Sequence, residues 1–209
     1  ASSPRRPSFM PEFRCAAVVL AAGASTRLGQ AKQLIRIDGE TLLRRTARFA
    51  VEAGCSPVLV VLGFEAGAMR PEAAGLTASI LINENWQEGM GSSLRAGMEA
   101  IRKAESQPDA VLVLVCDQPR LTAEHLRDLL ARHKTGAGIA VTASVYAGRP
   151  GVPAVFSGKL FPELTASQGD RGARDLIRAH TTEVQGIPWP EGQLDLDRPE
   201  DLNTIEAQF

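Results

Sequence analysis

The sequence predicts an α/β fold, a three-layer sandwich in which helices cover both faces of a mostly parallel sheet. Three apolar runs, 16–20, 58–62 and 110–115, show no polar alternation, which is typical of strands buried on both faces. Segments with the apolar spacing of amphipathic helices separate these runs. Alternation of strands and helices favours a parallel sheet with right-handed crossovers. At 209 residues the chain has the length of one sizeable domain.

Residues 14–209 are predicted to form that single domain, because no linker-like stretch divides them. Residues 1–13 are rich in Pro and Ser, lack the apolar segment of a signal peptide, and are predicted to be a flexible N-terminal arm.

The sequence has an odd number of cysteines, Cys15, Cys55 and Cys116, with no C-x-x-C spacing among them. This pattern indicates reduced, buried cysteines of a cytoplasmic protein rather than a disulfide framework or a zinc site.

The overall charge narrows the class of partner. A formal net charge of −1 argues against a general nucleic-acid binder, which usually has a strongly basic face. No apolar run approaches the length of a membrane span, so we expect no membrane association. A small molecule is therefore the expected partner.

The elements after the first strand can be placed from turn, capping and periodicity signals. Thr122 is a favourable N-cap for a helix, and Gly54 is placed to end the helix that begins at Thr41. The segment 65–77 is rich in Ala and Gly and predicts only a short helix and a loop. The remaining expected elements are a turn at Asp38-Gly39, strands at 58–62, 79–82, 110–115 and 154–156, a helix with Leu94, Met98 and Ile101 inward, and a helix with Ala173, Leu176 and Ile177 inward.

The first strand leads directly into a loop of small residues that contains Gly23 and Gly29. Glycine permits close backbone approach to a ligand, and successive N–H groups in such turns bind anions. Arg27 and Lys32 add positive charge suited to a polyphosphate. The spacing of glycines and lysine fits neither the G-x-G-x-x-G dinucleotide fingerprint nor the kinase-type P-loop. The loop therefore predicts a nucleoside triphosphate site of another kind.

Polar residues also follow the other predicted strands, where ligands bind in open α/β sheets. Asp117 comes after the buried strand 110–115, and a carboxylate opposite a phosphate site suits Mg²⁺. The alternative is that Asp117 caps the following helix, but Thr122 is better placed for that role.

Two carboxylates near the C-terminal end of the sequence are further candidates for metal ligands. Asp195 and Asp197 alternate on an extended segment, so both point to the same side and can share a cation. A cap or turn role explains the same residues.

The segment from Asn85 to Ser93 follows the strand 79–82 and contains Gly91, Ser92 and Ser93 at the start of a helix. Its hydroxyl and N–H groups are suited to bind a base edge or ribose, although capping by Ser92 accounts equally well for the pattern. Two further loops carry Arg149 and the group Asp170, Arg171 and Arg174. The second of these loops would suit an acceptor phosphate, but the sequence assigns none of these residues a role.

Six motifs occur in one order along the chain: LAAGASTRLGQAK, NENWQEGMGSSLRAG, CDQP, GRPGVP, GDRGAR and DLDRPEDL. Over about positions 15 to 205 they resemble the motifs of MobA/MocA-like nucleotidyltransferases of the molybdenum cofactor. The resemblance implies a Rossmann-like, nucleotide-diphospho-sugar-transferase-like fold and Mg²⁺-dependent nucleotidyl transfer. It departs at Val152, where relatives often carry His, and this leaves the acceptor's identity open.

The resemblance also assigns roles to residues. Ala22 in the LAAG motif implies CTP rather than GTP. Catalysis is assigned to Arg27, Lys32 and Asp117; nucleotide binding to Leu20, Ala21, Ala22, Gly23, Asn85, Gly91, Ser92 and Ser93; and metal binding to Asp117, Asp195 and Asp197.

The expected acceptor is a phosphorylated, molybdopterin-like small molecule, and a molybdoenzyme is the expected client. Because a phosphate monoester is already anionic at neutral pH, its attack on the α-phosphorus needs positioning and charge neutralisation rather than a general base. Two alternatives remain open at this point. One is transfer to another phosphorylated acceptor such as methylerythritol phosphate, and the other is a non-catalytic nucleotide-binding chaperone of a molybdoenzyme.

Overall fold

The computed structural model describes residues 12–26, 28–104, 106–169, 172–196 and 201. Of the predicted N-terminal arm, residues 1–11 lie outside this part, and Phe13 lies against His133 with their rings 6.2 Å apart. The described strands are β1 Cys15–Ala21, β2 Arg36–Ile37, β3 Glu40–Thr41, β4 Val58–Leu62, β5 Ser79–Ile82, β6 Ala110–Val115, β7 Val141–Tyr146, β8 Arg149–Ser157 and β9 Val184–Pro188. The described α-helices are α1 Leu42–Glu52, α2 Ala66–Met69, α3 Met90–Arg102, α4 Ala123–Thr135, α5 Phe161–Thr165 and α6 Ala173–Ala179.

Seven of these strands form one central sheet in the spatial order β5-β4-β1-β6-β8-β7-β9. β8 pairs antiparallel with both β6 and β7, while the other described pairs in the sheet are parallel. The predicted mostly parallel α/β sheet is therefore confirmed. β2 and β3 form a separate small hairpin around Asp38 and Gly39, both of which have positive φ angles as a tight turn of this kind requires.

Two hydrophobic layers cover the sheet, because alternate residues of β1 and β6 point to opposite faces. On one face, Ala17 and Val19 of β1 pack with residues of α1 and α4. On the other face, Ala16 and Val18 pack with α3, α5 and α6. β1, β4 and β6 are buried along their whole length, as the unbroken apolar runs predicted. The result is the predicted three-layer sandwich.

The predicted helix signals match the structure closely. The hydroxyl oxygen of Thr41 accepts a hydrogen bond from the Arg44 N–H at the start of α1, and Thr122 accepts one from the His125 N–H at the start of α4. Gly54 follows α1 with a φ of 92°, so a residue without a side chain suits the position. The segment 65–77, for which the sequence predicted only a short helix and a loop, contains the short helix α2 and a following turn of 3-10 helix.

The sequence analysis did not identify β7 or β9 and placed only residues 154–156 of the nine-residue strand β8. β7 reads VTASVY, and its buried Thr142 and Ser144 interrupt the apolar pattern. Their hydroxyl groups contact His133 and His125 respectively, so the polar atoms are paired inside the core. β9 lies at the sheet edge with a partly exposed sequence that gives little hydrophobic signal.

Within the described part of the chain, no helix is both long and apolar enough to cross a bilayer.

The contact between α3 and the sheet requires a residue without a side chain at Gly97. A Cβ atom there would lie 2.8 Å from Cγ1 of Val18 and 3.3 Å from Cγ2 of Val61, both in the core. Val18 is branched at Cβ and cannot easily turn away. We therefore expect Gly97→Ala to destabilise the fold by about 1–2 kcal/mol, despite alanine's better helix propensity. Urea unfolding measures the change.

The control for this substitution is Gly67→Ala in the exposed part of α2, where a Cβ would meet nothing within 4 Å. That change is expected to leave stability unchanged or to raise it by roughly 0.5–1 kcal/mol. Equal effects at the two glycines would contradict the packing argument.

Two buried histidines make stability depend on pH. Burial lowers the pKa of His125 to about 4 and that of His133 to about 4. In the unfolded chain both titrate near pH 6.5, so between pH 6.5 and 4 the unfolded state binds more protons. We therefore expect the free energy of unfolding to fall as pH is lowered through this window, by roughly 2–3 kcal/mol per histidine at the low end.

Variants that keep the hydrogen bond and remove the titration test this prediction. His125→Gln preserves a polar atom for Ser144, and His133→Asn preserves one for Thr142. Denaturant unfolding at pH 5 and pH 7.5 is expected to show a smaller pH difference in each variant than in the original protein. An unchanged pH difference in both would show that the histidines do not cause it.

Candidate functional site

The candidate site lies where the loops after β1 and β6 leave the carboxyl edge of the sheet. β1 and β6 are adjacent, but the chain reaches β4 and β5 on the other side of β1 before it returns to β6. The loops after β1 and β6 therefore separate and leave a crevice at this topological switch point. The crevice is the usual ligand site of an open α/β sheet.

An ion pair joins the two sides of this crevice. Nζ of Lys32 lies 2.6 Å from Oδ2 of Asp117, and each side chain is about one fifth exposed. Lys32 begins the short 3-10 helix after the glycine loop, whereas Asp117 lies two residues beyond the end of β6. The pair places a cation suited to phosphate beside a carboxylate suited to a metal ion.

The cavity around this pair has a volume of about 310 Å³. Its wall includes five residues that the sequence analysis assigned to nucleotide binding, namely Ser93 and four residues at the end of β1 and in the loop after it. These four are Leu20, Ala21, Ala22 and Gly23. Trp86, Gln87 and Met90 also border the cavity, and Gly63 leaves room for Trp86 beside Ala22. A Cβ on Gly63 would lie 2.6 Å from Cβ of Trp86.

The serines at the start of α3 are held by Asn83, a residue that the sequence analysis did not select. The amide Nδ2 of Asn83 donates to Oγ of Ser92 at 2.9 Å and to Oγ of Ser93 at 3.0 Å. Ser92 is only 1% exposed and donates within its own loop, to the carbonyls of Asn85 and Gly89. Its hydroxyl thus has a structural role, while Ser93 also borders the cavity. The available signal for Asn83 was its position directly after an apolar strand.

The other two residues of this segment are placed differently. Asn85 is exposed, and Gly91 is buried with its N–H donated to the carbonyl of Gly169. Neither belongs to the cavity wall that contains Ala22 and Ser93.

The C-terminal carboxylate segment lies beside Asp117. The N–H of Leu196 donates to the carbonyl of Asp117 at 3.0 Å, which brings Asp195 to the same edge of the sheet. Oδ2 of Asp195 lies 3.9 Å from Nη2 of Arg174. Two of the predicted site residues, Arg27 and Asp197, lie outside the described residues, as do Asp170 and Arg171.

A group of polar contacts follows Asp117 along the chain. The buried amide Nε2 of Gln118 donates to the carbonyl of Val152 at 2.9 Å, and the Tyr146 hydroxyl donates to the same carbonyl at 2.9 Å. Burial raises the pKa of Tyr146, although the hydrogen-bonded guanidinium of Arg174 opposes the rise. Tyr146 therefore stays a neutral phenol, and its hydroxyl remains a donor to the carbonyl of Val152.

Cys116 borders the same cavity but is not suited to nucleophilic chemistry. Burial and the neighbouring Asp117 carboxylate raise its pKa to about 12. The residue therefore remains a neutral thiol at physiological pH.

The described donors fit a divalent ion bound together with substrate phosphates. Within the ranges that the structure describes, no cluster of three His, Cys, Asp or Glu side chains could bind a metal ion by itself. Mg²⁺ is usually bound by one or two carboxylates together with substrate phosphates and water, and Asp117 with Asp195 supplies that set of donors.

A glycine loop at a switch point, with a lysine and a carboxylate facing each other across it, is an arrangement suited to an anionic ligand such as a nucleotide in an α/β protein. Residues 17–184 match the model of the MobA-like NTP transferase domain. The chain belongs to this family and is a nucleotidyltransferase.

Three relatives cover nearly the whole chain. Nicotine blue oxidoreductase of Paenarthrobacter nicotinovorans is 32% identical and covers 92% of this chain and 93% of its own. Purine catabolism protein PucB of Bacillus subtilis is 31% identical, with 90% and 94% covered. A probable molybdenum cofactor guanylyltransferase of Nostoc is 28% identical, with 92% and 91% covered.

A solved structure agrees with these matches. Rv0371c of Mycobacterium tuberculosis, in complex with manganese, superposes with a TM-score of 0.76 at 26% identity. The match covers 94% of this chain and 100% of that protein.

Lys32 forms an ion pair with the carboxylate of Asp117, so its ammonium group should compete with a divalent ion for that carboxylate. Lys32→Met removes the ammonium group and its repulsion of a dication. We expect the variant to bind Mn²⁺ without nucleotide roughly tenfold more tightly, a change of about 1.4 kcal/mol. Electron paramagnetic resonance of free Mn²⁺ measures the affinity.

Lys159 supplies the matched control, because it forms an ion pair with Glu183 on the surface and neither residue borders the cavity. Lys159→Met should leave Mn²⁺ affinity unchanged. Unchanged or weaker Mn²⁺ binding in Lys32→Met would show that Asp117 is not a metal ligand in competition with Lys32.

Proposed function

We propose that the protein transfers the cytidylyl group of CTP to a phosphorylated, molybdopterin-type acceptor, in the presence of Mg²⁺ and with release of pyrophosphate. The observation that carries the proposal is the 2.6 Å contact between Lys32 and Asp117 in the cavity bordered by the glycine loop. Lys32, together with a divalent ion on Asp117, would neutralise the negative charge of the triphosphate at one place, and nucleotidyl transfer requires such neutralisation.

The choice of nucleotide and acceptor has separate support. Ala22 in the LAAG motif favours CTP through the family resemblance, and Ala22 belongs to the cavity wall. The acceptor class is supported by the relative named as a probable molybdenum cofactor guanylyltransferase. A molybdoenzyme would be the client that receives the dinucleotide product.

The reaction needs no general base. An anionic oxygen of the acceptor phosphate forms a bond to the α-phosphorus of CTP. The bond from the α-phosphorus to the bridging oxygen breaks, and pyrophosphate leaves with that electron pair. Lys32 and the backbone N–H groups of the glycine loop hold the outer phosphates in line, and Arg27 is assigned the same role from its place in the motif.

The carboxylates of Asp117 and Asp195, with Asp197 assigned from the motif, would hold the divalent ion. When bound, this ion supplies positive charge that stabilises the developing charge on the α-phosphate. In this proposal Lys32, which contacts the Asp117 carboxylate in the absence of ligand, turns to the outer phosphates when nucleotide and metal bind.

A pyrophosphate-release assay across nucleotides and acceptors tests the proposal. CTP and GTP are each combined with a molybdopterin-type acceptor, with methylerythritol phosphate, and with no acceptor. The proposal expects release with CTP and the molybdopterin-type acceptor. Release only with GTP or only with methylerythritol phosphate would reassign the substrate, and nucleotide binding without any release would favour the chaperone alternative.

An oxidoreductase activity is a second candidate, favoured by the 32% identity to nicotine blue oxidoreductase. Consumption of NADH or NADPH in the presence of nicotine blue is the assay for this activity. Oxidation that depends on the protein, without pyrophosphate release, would favour this activity over the transferase.

Asp117→Asn tests the catalytic carboxylate with little change of shape. The variant should lose turnover by a factor on the order of 100 or more, because it removes a charge that the transition state needs. Pyrophosphate release measures turnover, and circular dichroism checks that the fold is retained. Asp128→Asn, an exposed position on α4, is the control and should keep full activity. Normal pyrophosphate release by Asp117→Asn would refute the role.

A further inference from the structure

We propose that Gln33 is a positioning residue that fixes the nucleotide-binding loop through its side-chain amide. This role rests on the nucleotide site proposed above, and it does not depend on which base or acceptor the protein uses.

The amide group of Gln33 contacts both ends of the loop segment that borders the cavity. Its Nε2 donates to the carbonyl of Ala21 at 3.0 Å and to the carbonyl of Gly23 at 2.8 Å. The carbonyl of Ala22, between them, accepts instead from the N–H of Phe64 at 3.1 Å. All three successive carbonyl groups are therefore held by fixed donors.

The planarity of the peptide bond converts these contacts into an orientation of donors. In a trans peptide the C=O of one residue and the N–H of the next point in opposite directions. By holding the carbonyls of Ala21 and Gly23, Gln33 directs the N–H groups of Ala22 and Ala24 away from itself. Both alanines border the cavity. One side chain thus orients two backbone donors of the kind that bind phosphate and base oxygens.

The same side chain connects this loop to Lys32. The Ser25 hydroxyl lies 3.4 Å from Oε1 of Gln33 and accepts the N–H of Lys32 at 3.3 Å. Ser25 has a φ of 51°, a left-handed conformation that is unfavourable for serine and needs support from its surroundings. Gln33 therefore couples the loop conformation to the backbone that carries Lys32.

Burial makes the arrangement rigid. Gln33 is 1% exposed, so it cannot exchange its partners for water without disturbing the loop. An amide is also the side chain that fits, because it donates two hydrogens from one nitrogen while its oxygen accepts.

Gln33→Met keeps the approximate size of the side chain and removes both donors. Nucleotide binding is measured by calorimetry with Mg²⁺–CTP and with Mg²⁺–GTP in the absence of acceptor, so that no turnover intervenes. We expect the dissociation constant to rise roughly tenfold for the nucleotide that the original protein binds more tightly. The KM of the acceptor should change less than the dissociation constant of the nucleotide, because the contacts that are lost are with the proposed nucleotide-binding loop.

Gln107→Met is the matched control. Nε2 of Gln107 also donates to backbone carbonyls, those of Arg102 and Ala104, but it precedes β6 at the opposite edge of the sheet. Its loss should lower the melting temperature without changing nucleotide affinity. Gln33→Glu, which replaces the donor nitrogen by oxygen, is the second variant and should weaken nucleotide binding at least as much as Gln33→Met.

Nucleotide affinity within about twofold of the original in a folded Gln33→Met or Gln33→Glu protein would overturn the role. Failure of both variants to fold would overturn it as well, because Gln33 would then serve the fold as a whole. Preference for GTP over CTP would contradict the proposed function while leaving the Gln33 test intact with GTP. Binding of neither nucleotide by the original protein would contradict both proposals.

Discussion

The ion pair between Lys32 and Asp117 is the interaction around which the site is organised. Its two members come from chain segments 85 residues apart and meet because β1 and β6 are adjacent in the sheet. The pair is largely buried, so it depends on the surrounding loops to hold both groups in place. Each of those loops leaves a strand that is packed on both faces, and this packing is what keeps the distance short.

Buried amides do most of the local positioning around that pair. Gln33 holds the glycine loop, Asn83 holds the serines at the start of α3, and Gln118 holds the chain at Val152. An amide can bind a backbone or hydroxyl group without adding charge, so it does not disturb the electrostatic balance that Lys32 and Asp117 set. Among the described residues that border the cavity the charged groups are few, and neutral groups hold the loops around them.

The sequence predicted the parallel half of the fold well, because β1, β4 and β6 are continuous apolar runs and clear turn and cap signals separate them. It did not predict β7 and β9. Thr142 and Ser144 interrupt the apolar pattern of β7, and their pairing with histidines from α4 depends on tertiary contacts that no local pattern encodes.

The same limit applies to the site. Lys32 and Asp117 stand out in the sequence as charged residues within motifs. Gln33 and Asn83 are neutral residues, and their importance appears only through their hydrogen-bond partners. Motif order suggested that Asp195 lies near Asp117, and the hydrogen bond from Leu196 to the Asp117 carbonyl is the contact that brings them together.

The antiparallel strand β8 and the segment around it supply one group of residues near Asp117, and the chain before Asp117 supplies another. The glycine loop and Lys32 belong to the segment before Asp117, and Tyr146, Val152 and Arg174 belong to the segment after it. The two segments pack together along β6 and β8 and through a shared core cluster of α3, α5 and α6. Substitutions in the later segment would therefore alter the surroundings of Tyr146 and Arg174 without any change in the residues of the glycine loop.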